Sequence, residues 1–441
     1  MRDHLCGEDS GPISAHVPAL CGICRAAVHD AEAIAALYCE AYPPLAGLPA
    51  GSGYPFPQYM SPAWMARSLS DGEFCWLAAK QGEELIGCLG AISISRPNDD
   101  DHIAELTGLV VKTQYRREGI GTALLNAMCH ELDAAGTMVS LAETRTGNLG
   151  GYKGTAKAGF IPIGFEPFAH NIRGQPEHMI MMARLQPSAY ENRTLGYNTS
   201  PMAHDLGQAC LRFVHQPVPS ARSLSASEIS QHHCCRGPLT VVRTSPAVLE
   251  RHESVSNRAS PHRSGIIGLR RIRGVDYGER RFLDRHYMMR RRDRILGVAQ
   301  ISVDLHDRRA RVLRLEVQID GLQAIFLRRV LDQLRSEDIL QPLACVVVDV
   351  RADFAPLHLS LQTLGFVPTV YYPSLVSIES RRIDAVQFTR IIGHDRPDFP
   401  APPVELGAAA ADIIRTVLRH YHQSLGGWIG RDSHVGEDSD G

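Results

Sequence analysis

Two neighbouring groups of residues in this 441-residue chain have the types and spacing to do chemistry. The first is Lys112-Thr113-Gln114-Tyr115-Arg116-Arg117-Glu118-Gly119-Ile120-Gly121-Thr122. Glycines at Gly119 and Gly121 let backbone N–H groups approach a ligand with no Cβ in the way. A helix beginning there adds the partial positive charge of its N-terminus, and Arg116 and Arg117 are placed to make charge-assisted hydrogen bonds to phosphate oxygens. That is an anion site. The second group is Glu105, a carboxylate inside the apolar run Ile103 to Val111, with His102 at its mouth. Burial among apolar residues disfavours a free charge, so Glu105 is either paired with an arginine or functional. Its functional use is proton removal, with His102 as a water-mediated alternative.

The flanking elements follow from hydrophobic period. Ile103 to Val111 is rich in β-branched residues without a helical repeat, which predicts a strand buried on both faces. Ala123, Leu124, Leu125 and Met128 fall at helical spacing after the glycines, and a strand is predicted over Met138 to Ala142. Asn148 opens a helix that ends in Lys157-Ala158-Gly159-Phe160, and strands are expected at Ile161 to Phe165 and His178 to Leu185. Upstream, Cys24 to Val28 reads as a strand, and Asp30 caps a helix with Ala31, Ile34, Ala35, Leu37 and Tyr38 on its apolar face. Phe74 to Lys80 and Leu85 to Ser95 form a hairpin. Between them, Tyr42 to Met60 is dense in proline, glycine and aromatics. It reads either as a wall of the binding site or as a surface loop packed on its own rings.

The run Val110-Val111-x-x-x-Tyr115-Arg116-Arg117-Glu118-Gly119-Ile120-Gly121-Thr122 resembles the acyl-CoA signature of the GNAT superfamily of N-acetyltransferases, Arg/Gln-x-x-Gly-x-Gly/Ala. Arg116 takes the first position and Gly119 and Gly121 the glycine positions, and the order of surrounding elements agrees over about residues 24 to 186. The resemblance implies an α/β (α+β) domain with a mixed central sheet flanked by helices, and acetyl-CoA as co-substrate. It implies that the backbone of Leu109, Val110 and Val111 pairs with the pantetheine arm, Val111 N–H polarising the thioester carbonyl. Arg116, Arg117, Glu118, Gly119, Ile120, Gly121, Thr122 and Asn148 complete the binding set. Glu105 stands where some family members carry a catalytic glutamate. The family's usual general acid is a tyrosine, but Thr155 occupies that place before Gly159-Phe160, and Tyr152, one turn earlier, is the substitute. In the family the segment corresponding to 42–60 helps wall the acceptor site.

The second half echoes the first. Ile295 to Val303 matches Leu85 to Ile94, and Leu364-Gly365-Phe366-Val367-Pro368 matches Ala158-Gly159-Phe160-Ile161-Pro162. A strand over Arg311 to Ile319, a helix over Leu322 to Arg335, a strand over Ala344 to Val350 and a helix over Asp353 to Leu364 lie between. The connection Ile319-Asp320-Gly321-Leu322 has neither the arginines nor the second glycine, so this copy is read as a degenerate GNAT-like domain without cofactor binding. The expected organisation is a leader at 1–23, a catalytic domain at 24–186, a linker with one helix at 187–263, the degenerate domain at 264–393, and a C-terminal helix and acidic tail at 394–441. By analogy with dimeric relatives, the second copy is expected to cover the open side of the first, leaving a monomer or a homodimer.

Composition limits the alternatives. A net charge of −2 implies no acidic polymer as partner. No long apolar run or signal-like N-terminus occurs, so neither a membrane partner nor export is expected and the location is read as cytoplasmic. The eleven cysteines are mostly isolated in apolar runs. Cys21-x-x-Cys24 lacks a partner pair and His232-His233-Cys234-Cys235 lacks a second half, so no metal is expected. The acidic run Asn98 to Asp101 reads as a solvated turn. Arg270 to Arg294, with Tyr277, Phe282 and Tyr287, has the interleaving of a nucleic-acid surface. Asp276, Glu279, Asp284 and Asp293 interrupt it, and it is read as a solvated hairpin face with no nucleic-acid partner. The function expected is an N-acetyltransferase moving acetyl from acetyl-CoA to a small-molecule amine. The alternative is a non-catalytic acyl-CoA sensor or scaffold whose second domain binds a partner.

Overall fold

The computed structural model describes residues 21–43, 54–94, 103–172, 175–223, 238–247, 265–269, 282–319, 322–337, 343–378, 381–392 and 406–429. Most of the leader, residues 44–53, the run Asn98 to Asp101, His102, the His232 to Cys235 tetrad and Arg270 to Arg281 lie outside them. The described residues form two compact units. One runs up to Pro162 and from Pro167 to Arg193; the other takes Ile163–Glu166, Thr194–Leu269 and the residues from Arg280 onward.

The first unit orders its strands β1-β2-β3-β4-β5-β7-β6. These are β1 (Gly22–Arg25), β2 (Phe74–Gln81), β3 (Glu84–Ser93), β4 (Ile103–Val111), β5 (Val139–Arg145), β6 (Ile161–Ile172) and β7 (Gln175–Leu185). Helices α1 (Ala31–Ala41) and α2 (Pro62–Ser70) precede β2, while α3 (Ile120–Ala134) and α4 (Leu149–Lys157) flank β5. β4 and β5 are parallel because α3 carries the chain back across the sheet between them. α3 buries Ala123, Leu124, Ala127, Met128 and Leu132, the face its period predicts. α2 starts where Ser61 Oγ accepts the amide of Trp64 at 3.3 Å with Pro62 in the first turn.

One break in this sheet matters for function. β4 pairs with β5 from Ile103–Val139 to Leu106–Ala142, yet β4 continues to Val111 and β5 to Arg145. Past Leu106 and Ala142 the two strands therefore part. The register of β4 against β3 shifts at the same place, between the Gly90–Thr107 and Cys88–Val110 pairs. Gly108 lies in that shift with φ of +69°, a conformation that glycine adopts without strain. The Tyr38 hydroxyl donates to Gly108 O, and a Cβ at Gly108 would overlap that hydroxyl. The bulge is thus built into the chain at one residue and locked from α1.

The second unit has the strand order β15-β16-β14-β13-β12-β11-β10. Its strands are β10 (Thr240–Thr244), β11 (Phe282–Arg291), β12 (Arg294–Asp304), β13 (Arg309–Val317), β14 (Cys345–Arg351), β15 (Val367–Ile378) and β16 (Arg381–Ile391). α7 (Leu322–Ser336) connects the parallel β13 and β14, and α8 (Ala355–Thr363) precedes β15. These two strands also part, pairing from Arg309–Cys345 to Val312–Val348 while β13 runs on to Val317 and β14 to Arg351. Here the gap is filled by the chain itself. Ile267 N donates to Asp349 O at 2.8 Å and Arg351 N to Gly265 O at 2.8 Å. Gly268 approaches β13 so closely that a Cβ on it would stand 2.6 Å from Leu313 O.

The stretch expected to be a linker with one helix carries more than that. It contains the short helix α5 (Pro187–Glu191), the minor strands β8 (Asn198–Thr199) and β9 (Ser220–Ala221), α6 (Pro201–Leu211) and β10. β10 pairs antiparallel with β11, and Gly207 of α6 packs on the Tyr371 ring, so both belong to the second unit's core. Short segments separated by Ser- and Pro-rich sequence hide such pairings from a period-based reading. α9 (Ala408–Ile429) buries Ile413, Ile414 and Val417 as its apolar positions imply. Within the arginine-dense stretch, Arg285 and Tyr287 are buried and both bond Glu337, so they do not form a stacking surface.

Candidate active site

The glycine loop adopts the backbone its sequence suggests. Arg117 has φ of +71° and Gly119 φ of +86°, after which α3 begins at Ile120. A non-glycine residue in the left-handed region costs about 1–2 kcal/mol, and such strain concentrates where backbone groups are aimed at a ligand. The loop is pinned at both sides: Arg116 Nε donates to Val111 O at 3.1 Å, and Glu84 accepts from Lys112 Nζ at 2.6 Å and Tyr115 Oη at 3.1 Å. A Cβ at Gly121 would meet nothing closer than Leu109 at 3.9 Å, so the space above α3's first turn is open.

A cleft of about 650 Å³ lies there, between the parted ends of β4 and β5. Leu109, Val110, Val111, Arg116, Arg117, Gly119, Ile120, Gly121, Thr122 and Asn148, all expected from the sequence, line it. Glu118 does not: it is exposed and outside the lining, because the turn at Arg117 to Gly119 directs it to solvent. The sequence reading missed Arg145, Lys153 and Lys157, which join Arg116 and Arg117 to surround the cleft with cations. Lys153 and Lys157 sit four apart on α4, a spacing that puts them on one face and could have been read in advance. The dimensions suit a drug- to cofactor-sized ligand, and the charge suits a polyanionic one.

A second cavity of about 240 Å³ continues the first, sharing Tyr42, Leu109, Arg145, Asn148 and Gly151. Glu105 lines it and is only 1% exposed. Thr107, beside it, is hydrogen-bonded to the Tyr59 hydroxyl at 2.8 Å. Two residues the sequence reading overlooked face the same space: Glu143 on β5 and His170 on β6. His170 Nε2 donates to Glu143 Oε2 at 2.9 Å, and its ring meets Phe56 edge-on with centroids 5.6 Å apart. The described part of the aromatic segment packs on its own rings and also borders this cavity. Tyr54 and Tyr59 pack on Tyr38, Phe56 packs on both of them, and Tyr42, Tyr54 and Phe56 line the cavity. Burial pushes the Tyr54 hydroxyl well above its ordinary range, so it stays neutral.

Tyr152 is placed differently from the expectation. It is buried, lines neither cavity, and burial raises its hydroxyl above the usual value. With about 100° per helical residue, α4 presents Gly150, Gly151 and Gly154 to the cleft and turns Tyr152 past Thr155 toward the interior. Thr155 itself lines the smaller cavity. Asn148 caps α4, its Oδ1 accepting from Gly150 N at 3.1 Å, and borders both cavities. His178, near His170 in sequence, has a different office: its Nδ1 accepts from Phe168 N at 3.1 Å, and burial lowers its pKa to about 4.

Among the described residues no group of three or more His, Cys, Asp or Glu is arranged to hold a metal ion, and Cys21 and Cys24 are free thiols. Burial pushes Cys88 to about 12 and Cys129 to about 11, which leaves both inert. No helix among the described residues is long and apolar enough to cross a membrane.

Residues 31–160 match the model of the acetyltransferase (GNAT) family, so the chain carries a GNAT acetyltransferase domain there. No curated protein matches the sequence. Solved structures that resemble the chain include ribosomal-protein-S5-alanine acetyltransferase from Vibrio fischeri, at 15% identity and TM-score 0.33 over 40% of this chain and 98% of that one. Ribosomal-protein-alanine N-acetyltransferase from Brucella melitensis is similar at 21% identity and TM-score 0.32, over 37% and 99%. The yncA protein from Salmonella typhimurium, solved with its cofactor acetyl-CoA, is similar at 18% identity and TM-score 0.32, over 38% and 94%.

Proposed function

We propose that the first unit is an N-acyltransferase that moves the acetyl group of acetyl-CoA to a primary amine of a small molecule. The observation that carries this reading is the parting of β4 from β5. It brings a strand-end amide, a cationic cleft and an acid-lined pocket into one continuous space.

The chain's own groups divide the work. The amides of the Arg117 to Thr122 turn, with Arg116, Arg117, Lys153 and Lys157 around them, hold the phosphates. Backbone of Leu109 to Val111, released from β5, offers its hydrogen-bonding edge to the pantetheine arm, and Val111 N–H is the donor to the reacting carbonyl oxygen. Acetyl-CoA supplies an acetyl group activated as a thioester. Glu105, buried in the adjoining pocket, attracts the acceptor's ammonium, and Tyr42, Tyr54 and Phe56 restrict the acceptor to a small body. Since Tyr152 faces the interior, the departing thiolate takes its proton from solvent.

The same displacement of Tyr152, with Thr155 at the acid position, is the specific observation favouring a second reading, an acyl-CoA-binding sensor without turnover. Titration calorimetry with acetyl-CoA, followed by thiol release from acetyl-CoA with a panel of primary amines, tests both. Binding with amine-dependent thiol release supports the enzyme, binding without release supports the sensor, and no heat at millimolar acetyl-CoA removes both.

A further inference from the structure

Tyr42 stands where the two cavities meet. Three polar side chains border both of them: Tyr42, Arg145 and Asn148. Two are engaged elsewhere, since Arg145 Nε donates to Glu177 at 2.8 Å and Asn148 Oδ1 caps α4. The Tyr42 hydroxyl is hydrogen-bonded to none of the described residues, and its side chain is half-buried. Its place is nevertheless fixed. Tyr42 ends α1, its N–H donating to Tyr38 O at 2.9 Å, and its ring packs against Tyr54 with centroids 4.3 Å apart. Tyr38, one turn earlier on the same face, is bonded to the Gly108 carbonyl in the bulge of β4. The helix that locks the bulge therefore also sets Tyr42 at the junction.

We propose that Tyr42 is the general acid of the transfer, giving its hydroxyl proton to the coenzyme A sulfur as the thiolate departs. This rests on the N-acyltransferase reading and deepens it by giving the solvent proton a path to the sulfur. With the pantetheine arm along Leu109 to Val111 in the cleft and the acceptor in the smaller cavity, the bond that is exchanged lies at their junction, so its proton donor must border both. Tyr54 borders only the acceptor pocket, and Tyr115 only the cleft, where Glu84 holds its hydroxyl at 3.1 Å. Burial raises the Tyr42 hydroxyl above its ordinary value, so it carries its proton at neutral pH. The Arg145 and Arg116 guanidiniums act in the opposite sense and favour the phenolate formed when the proton leaves. The step balances: the C–S bond of the tetrahedral intermediate breaks with its electron pair passing to sulfur, the Tyr42 O–H bond breaks, and an S–H bond forms. The phenolate then takes a proton from solvent through the open cleft, and the attacking amine sheds one to solvent.

The test uses the full chain, with calorimetry for acetyl-CoA affinity and thiol release with a primary alkylamine for turnover. Tyr42→Phe keeps the ring against Tyr54 and removes only the proton donor. It should lower kcat by about 10²-fold. KM for the amine and affinity for acetyl-CoA should stay within about twofold of the wild type, the pattern of an interaction made only in the transition state. Tyr152→Phe, a change at a buried residue outside both cavities, should release thiol at the wild-type rate. A Tyr42→Phe enzyme that turns over at the wild-type rate, or one whose acetyl-CoA affinity falls as far as its kcat, overturns the assignment and leaves the acyltransferase reading intact. Loss of kcat in Tyr152→Phe instead does the same. If the wild type binds acetyl-CoA yet releases no thiol with any alkylamine, the acyltransferase reading falls and the acid with it.

Discussion

The two units share a strand frame and differ in what fills it. β4 and β13, β5 and β14, β6 and β15, and β7 and β16 have matching lengths and pairings, and Phe168 and Ser374, at the same place in β6 and β15, both have positive φ. In each unit the parallel pair separates after four pairs. In the first, the opening is a cleft; in the second, residues Gly265 to Leu269 lie in it, bonded to β14 and pressed against β13. The chemistry differs in step. Glu105 and Arg311 are each the third residue of their strand, and Glu143 and Asp349 each the fifth, so two carboxylates in one unit become an ion pair between Arg311 and Asp349 in the other. His170 has Val376 as its counterpart. The difference teaches that the splayed sheet alone is not a site: a binding function also needs the gap left vacant and donors at its rim.

The sharpest way to break this contrast is to fill the first cleft. Gly121→Arg should take acetyl-CoA binding from one equivalent per chain to none, because the side chain enters open space above α3 while the helix keeps its fold. A second equivalent in the wild type, or one surviving in the variant, would show that the plugged unit binds after all.

Acid should destabilise both units through buried histidines. His358, fourth in α8 as Tyr152 is in α4, donates to Arg351 O at 2.9 Å, and burial lowers its pKa to about 4. Its folded value is below the ordinary 6.5, so the unfolded chain binds the proton first. Stability is then complete above about pH 6.5 and falls as pH drops toward 4, by at most about 3 kcal/mol for this one group. His178 adds a similar limb in the first unit. Denaturant unfolding from pH 7.5 to 4.5 should show a shallower loss in His358→Gln than in the wild type.

Gly268→Ala attacks the plug. Its Cβ would stand 2.6 Å from a backbone oxygen that cannot swing aside, so the variant should lose about 1–3 kcal/mol of stability with unchanged acetyl-CoA affinity. Loss of affinity in this variant would mean that the first cleft depends on the second unit's strap. The smallest expected effect is that of Asn148→Ala, which removes the cap of α4 at the rim of both cavities and should cost about 1 kcal/mol in stability, read as a modest fall in thermal midpoint.

Much of the first unit was legible because its signals are local. The apolar run of β4, the positive-φ glycine that starts α3 and the Asn148 cap each depend on neighbours a few residues away, and the cationic loop follows from them. The strands and helices between Arg311 and Leu364 were legible for the same reason. What the sequence could not decide lies across long separations. The bulge at Gly108 is locked by Tyr38, on α1, whose hydroxyl donates to the Gly108 carbonyl across 70 positions of sequence. Glu143 and His170 stand on different strands, and only the sheet brings them together at the acceptor pocket. Tyr152 and Thr155 lie within one turn of α4, and whether either meets the cavity depends on how the helix is rotated on the sheet, which side-chain packing sets. Likewise the fate of the second gap rested on residues 265–269, whose sequence carries no sign of the strands they would occupy; the hydrogen-bonding edge of β14 decided that, because a buried edge left unpaired is costly and the chain's own backbone was at hand.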